Sequence, residues 1–136
     1  MKEITVPARL DQLTEVTAWM DEALEALDCP PKAQMQMDMA IDEIFGNIAH
    51  YAYPDGDGSA TVQLDFDEAQ RVVSLVFIDR GQPFDPLKKP DPDTTLAAEE
   101  RKIGGLGIFL VKKIMDEVNY CYRDGQNILT VRKKLG

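Results

Sequence analysis

Very little in this sequence suits it to a metal-staked or disulfide-stapled scaffold. It contains a single histidine and only two cysteines, Cys29 and Cys121, far apart in the chain. One histidine cannot complete a Cys/His zinc set, and one distant cysteine pair is weak material for a disulfide framework. No apolar run approaches the roughly 20 residues that a membrane span requires. The N-terminus lacks the basic-then-apolar pattern of a signal peptide, so a soluble, cytoplasmic protein without membrane association is expected. Excess positive charge is missing too. The formal net charge is −9, which argues against broad nucleic-acid binding, where phosphate contacts need clustered Lys and Arg.

What is present is an ordinary globular balance over 136 residues, with 44% hydrophobic and 29% charged side chains. That length fits one domain over 1–136 with a core of its own. Ile4 and Val6 alternate with polar neighbours and stop at Pro7, a short strand. From Leu10 to Leu27 apolar residues recur at helical spacing, and Pro30 and Pro31 separate that helix from a second one over about 33–51. The second helix carries Met37, Ala40, Ile41, Ile44, Ile48 and Ala52 as its buried stripe. Turn residues in YPDGDGS precede two strands, ATVQLDF and the nearly all-apolar RVVSLVFID, joined as a hairpin. Residues 81–104 then lose periodicity and hold four prolines, a stretch suited to a lid. A glycine-opened helix, GGLGIFLVKKIMDEV, is followed by VNYCYR, the turn DGQN and ILTVRKK, a closing hairpin. Strands and helices do not alternate strictly. The expected fold class is therefore α+β, a two-layer sandwich with a mixed, mostly antiparallel sheet and its helices on one face.

Three motifs carry polar residues that could do chemistry. In DEIFGN, Glu43 and Asn47 stand four apart on one helix, so their side chains share a face. A carboxylate beside a carboxamide can take a proton or hold a hard cation through oxygen, and can equally be a solvated polar edge. In FIDRGQPF, Asp79 ends the most apolar strand and Gly81 follows two residues on. A strand-end carboxylate can accept from an amino-bearing ring, with a glycine letting a flat group approach; an ordinary turn has the same look. In GGLG, Gly104, Gly105 and Gly107 open a helix whose first N–H groups and partial positive charge suit an anion, phosphate above all. They also suit a tight turn. Neither the Gly-x-x-x-x-Gly-Lys phosphate loop nor the dinucleotide fingerprint is present.

Taken in order, helix Glu-x-x-x-Asn, strand-end Asp-x-Gly, long loop and Gly-Gly-x-Gly before a helix, the sequence resembles the Bergerat-fold, histidine-kinase-like (GHKL) ATPases. Within them it is most similar to the anti-sigma-factor serine/threonine kinases, through DEIFGNIAHYAY and ERKIGGLGIFLVKKIMDEV. Sensor histidine kinases usually carry Asn where Glu43 stands and use a separate phosphoacceptor helix; His50, the one histidine, lies inside the nucleotide helix itself. Family helices often place Ala after the Glu and the Asn, where this chain has Ile44 and Ile48. The resemblance implies the Bergerat ATP-binding fold with an ATP lid at about 82–104. It implies ATP and Mg²⁺ as cofactors, Asn47 as the metal ligand and Glu43 as general base. Asp79 and Gly81 would take adenine, Gly104, Gly105 and Gly107 the phosphates, and Arg101, or else Lys102, the terminal phosphate. It further implies transcription regulation through transfer to a STAS-domain anti-anti-sigma protein, binding of a sigma factor, and a homodimer. A non-catalytic ATP-binding module of the same fold, or a hydrolase, is the alternative.

Overall fold

A computed structural model describes residues 1–88 and 105–135. Five strands and three helices follow one another as β1 (Lys2–Pro7), α1 (Leu13–Ala26), α2 (Pro31–Tyr51), β2 (Ser59–Asp67), β3 (Val72–Asp79), α3 (Gly105–Ile114), β4 (Glu117–Arg123) and β5 (Gln126–Lys134). The element order is the one that periodicity predicts. Strand order in the sheet is β1-β2-β3-β5-β4. Every pairing among the described residues is antiparallel, so the expected mixed sheet is antiparallel throughout that part of the chain.

Alternation along the strands explains why the helices pack where they do. Val62 and Leu64 on β2, Val73, Leu75 and Phe77 on β3, and Leu129 and Val131 on β5 are buried in one core with the helices. The intervening Thr61, Gln63, Ser74 and Thr130 stay half-buried on the other face. Every residue of the stripe expected on α2 is buried, joined by Phe45, which is fully enclosed. Such a side chain contributes about 1.5–3 kcal/mol relative to exposure.

Two helix boundaries differ from the periodic reading. Leu10–Gln12 forms a separate 3-10 turn after extended Arg9, and Leu10 is 49% exposed, so α1 starts at Leu13. The third helix stops at Ile114 because the Asp116 N–H bonds the carbonyl of Arg132, drawing the chain into the sheet. Both cysteines are free thiols. No helix among the described residues is long and apolar enough to cross a membrane.

Candidate functional site

The C-terminal half of α2 and the ends of β3 and β5 meet around one small cavity. It is lined by Ile44, Asn47, Ile48 and Ala52 from α2, Phe77 and Asp79 from β3, Phe84 and Pro86 beyond it, Tyr120 from β4, and Asn127 and Leu129 from β5. The walls are apolar and the polar groups few, the composition of a small-molecule pocket. Its volume is about 30 Å³, room for a water or two.

Asp79 is the last residue of β3 and only 5% exposed. Its Oδ1 accepts from the N–H of Gly81 at 2.9 Å and from Nδ2 of Asn127 at 2.9 Å. Burial raises this carboxyl above the usual range, and the hydrogen bonds from Asn127 and from the Gly81 N–H offset that rise only in part. Oδ2 takes no hydrogen bond among the described residues. It is the oxygen that these two donors leave as an acceptor, on a residue lining an apolar pocket.

The segment leaving β3 is strapped onto the end of α2. Gln82 donates its backbone N–H to Ala52 O at 2.8 Å and its side-chain amide to Tyr51 O at 2.8 Å. Tyr53 donates its hydroxyl to Ser59 O and accepts the Arg80 N–H. The Phe84 ring stacks on Tyr51, with centroids 5.2 Å apart. Gly81 is what lets this strap close. A Cβ there would lie 2.1 Å from the Ala52 carbonyl oxygen, so the bare backbone faces the helix end. Gly81 does not line the cavity.

At the other end of the site, Glu43 meets the glycine motif. A Cβ on Gly107 would lie 2.0 Å from the Glu43 carboxyl carbon, so that carboxyl rests on the first turn of α3. Gly105 opens the same helix. Asn47, one turn beyond Glu43 on α2, lines the cavity that Asp79 helps to enclose. The helix therefore bridges two clusters: Glu43 with Gly107, and Asn47 with Asp79. Arg101 and Gly104 lie outside the described residues, as does the expected lid from 89 onward. His50 is exposed on the last turn of α2 and outside the cavity lining.

Sequence reading missed Asn127, Tyr120 and Phe84. The turn at Asp124 and Gly125, both with positive φ, is a two-residue hairpin loop, so β5 begins at Gln126. That places Asn127 directly across from Asp79. A strict two-residue reading of the DG signal could have found it.

Comparison with known proteins places the fold in a family. Residues 6–133 match the family described as Histidine kinase-like ATPase domain. The serine/threonine-protein kinase BtrW of Bordetella bronchiseptica is 26% identical over 118 residues, 87% of this chain and 82% of the relative. The serine-protein kinase RsbW of Oceanobacillus iheyensis is 24% identical over 132 residues, 93% of this chain and 82% of that protein. Among solved structures, the RsbU and RsbW domains of Rv1364c from Mycobacterium tuberculosis share the fold with a TM-score of 0.65 at 16% identity, covering 99% of this chain and 33% of that one. The SiaB–SiaC complex from Pseudomonas aeruginosa gives 0.59 at 20% identity, over 98% and 89%.

Proposed function

The chain belongs to the histidine kinase-like ATPase domain family, and from that premise we propose that it is an ATP-dependent protein serine/threonine kinase of the anti-sigma type. In this reading Asp79 Oδ2 accepts from the 6-amino group of adenine, while Ile44, Ile48, Phe77 and Leu129 bury the ring. The N–H groups of the first turn of α3, left bare by Gly105 and Gly107, receive phosphate oxygens, joined by Gly104 and Arg101. Asn47 and Glu43 are hard oxygen donors one turn apart, a set that suits Mg²⁺, with Asn47 as ligand. The cation, when bound, neutralises charge on the phosphates during transfer.

Glu43 acts as general base. It takes the proton from the acceptor hydroxyl as that oxygen bonds to the terminal phosphorus; the bond from phosphorus to the bridging oxygen breaks and its electron pair leaves with ADP. The observation that carries this reading is the packing of the Glu43 carboxyl on Gly107. A base in reach of the helix mouth is a base in reach of the transferred group. The acceptor is a serine or threonine of a STAS-domain antagonist, with a sigma factor as second partner and the kinase acting as a cytoplasmic homodimer.

The test is transfer from labelled ATP, with Mg²⁺, to candidate STAS proteins from the same genome. Label should appear on a STAS serine or threonine and vanish with Glu43→Ala while ATP still binds. ATP binding by the wild type with no transfer to any of them would instead mark a regulatory module that uses the nucleotide only as a ligand. Phosphate release without an acceptor would mark a hydrolase.

A further inference from the structure

We propose that Asn127 is a positioning residue of the nucleotide site: it holds Asp79 in the orientation that offers Oδ2 to an amino-bearing base, and fixes the root of the following loop to that orientation. The proposal rests on the reading of the cavity as a nucleotide pocket and adds a residue to it.

A carboxamide has two donors on nitrogen and an oxygen with two lone pairs. Asn127 is 5% exposed, and all four capacities are used. Nδ2 donates to Asp79 Oδ1 at 2.9 Å and to Gln82 O at 2.9 Å. Oδ1 accepts from the Phe84 N–H at 3.1 Å and from the Tyr120 hydroxyl. The orientation of the amide is not a matter of choice. The Phe84 N–H can only donate and the Gln82 carbonyl can only accept, so oxygen must face Phe84 and nitrogen must face Gln82. Once those two backbone groups set the amide, its remaining N–H is aimed at Asp79, its direct cross-strand partner.

The consequence falls on Asp79. With the Gly81 N–H and Asn127 both on Oδ1, that oxygen is occupied, and Oδ2 is the acceptor left to face a ligand. Asn127 is also one of the two donors that counter the effect of burial on this carboxyl. Without it Asp79 gains freedom to rotate and to hold a proton. A protonated carboxyl donates as well as accepts, and so no longer rejects a base with a 6-oxo group. The same amide bonds Gln82 and Phe84, the residues through which the chain leaves β3 and forms the cavity wall. Base recognition and the position of that wall therefore depend on one side chain.

ATP and ITP probe this directly, because they differ in the 6-amino against the 6-oxo group. Equilibrium titration of both nucleotides, with Mg²⁺, is compared for wild type, Asn127→Ala and Tyr120→Phe, with urea unfolding as a check on folding. Wild type should prefer ATP. Asn127→Ala should lose about tenfold or more in ATP affinity and much less in ITP affinity, so the ratio collapses. Tyr120→Phe keeps the ring and removes one donor to the amide, and should lower the same ratio by about two- to threefold, which keeps the test informative if Asn127→Ala unfolds. Equal loss of both nucleotides, or an unchanged ratio in the folded variants, would overturn the role of Asn127 and leave the pocket standing. Failure of the wild type to bind either nucleotide would overturn the pocket and this proposal together.

Discussion

The two ends of the site are built on different terms. At the Asp79 end three contacts close on backbone or on a saturated amide: Gly81 against the Ala52 carbonyl, Gln82 and Phe84 against Asn127. At the Gly107 end the contact is with the tip of Glu43, a side chain with three rotatable bonds. Recognition of a base gains from preorganisation, since a fixed acceptor rejects the wrong partner. A base that must follow a hydroxyl and a phosphate needs room to adjust. The difference teaches that Gly81 marks a join against fixed backbone, whereas Gly107 faces the far end of a side chain.

Adding a methyl group to each glycine breaks that comparison most directly. Gly81→Ala places Cβ 2.1 Å from the Ala52 carbonyl oxygen. Backbone cannot step aside cheaply, so a stability loss of about 2–3 kcal/mol is expected by urea unfolding, with nucleotide binding lost alongside. For Gly107→Ala the three nearest atoms all belong to the Glu43 carboxyl, the far end of a flexible side chain. Alanine also favours the helix by about 0.5–1 kcal/mol over glycine, so stability should hold or rise slightly. The transfer rate, by contrast, should fall about tenfold or more because the base is displaced from the helix mouth. Equal stability losses for the two variants would erase the distinction between the ends.

A third carboxylate, half-buried, sharpens the lesson about donors. Asp38 on α2 lies against Asp21 on α1. Burial first, then the hydrogen bond and the charge of Asp21, push its carboxyl up to about 7. Asp79 is more deeply enclosed, yet it has two donors and Asp38 has another acid. Because the folded-state value lies above the ordinary one of about 4, the native state binds the extra proton between the two values. Stability therefore falls as pH rises from about 4 to about 7 and then levels off. Asp38→Asn keeps a donor for Asp21 and removes the shared proton. It should stabilise the protein by about 1 kcal/mol at pH 8, a figure discounted for solvent at the edge of the pair, with the gain fading toward pH 5. A gain independent of pH would show that the pair does not share a proton.

These contrasts also separate what the sequence makes legible from what it hides. The buried stripe of α2 could be read apart from Ala33 and Phe45, because a 3.6-residue period is a local property of the chain. The place of Glu43 beside Asn47 is local in the same way. Asn127 was hidden because its partner Asp79 is 48 residues away and only strand register joins them. It also sits next to the turn, and reading DGQN as all turn removed it from the strand. Gly81 was read as room for a flat ring or as an ordinary turn, and its neighbour is Ala52, at the end of a helix two elements earlier. The meeting of Glu43 with Gly107 was foreshadowed by motif order alone, since no local pattern joins α2 to α3.

The central claim is that Asp79 presents a carboxylate oxygen to the 6-position of a purine. Asp79→Asn tests it with little disturbance elsewhere, because an asparagine Oδ1 can still accept from Gly81 and Asn127 while its nitrogen replaces Oδ2 at the cavity. Titration of this folded variant with ATP and with ITP should show ATP affinity down by about a hundredfold and the preference turned toward ITP, whose 6-oxo group can accept. An Asp79→Asn protein that binds ATP as the wild type does would contradict the account.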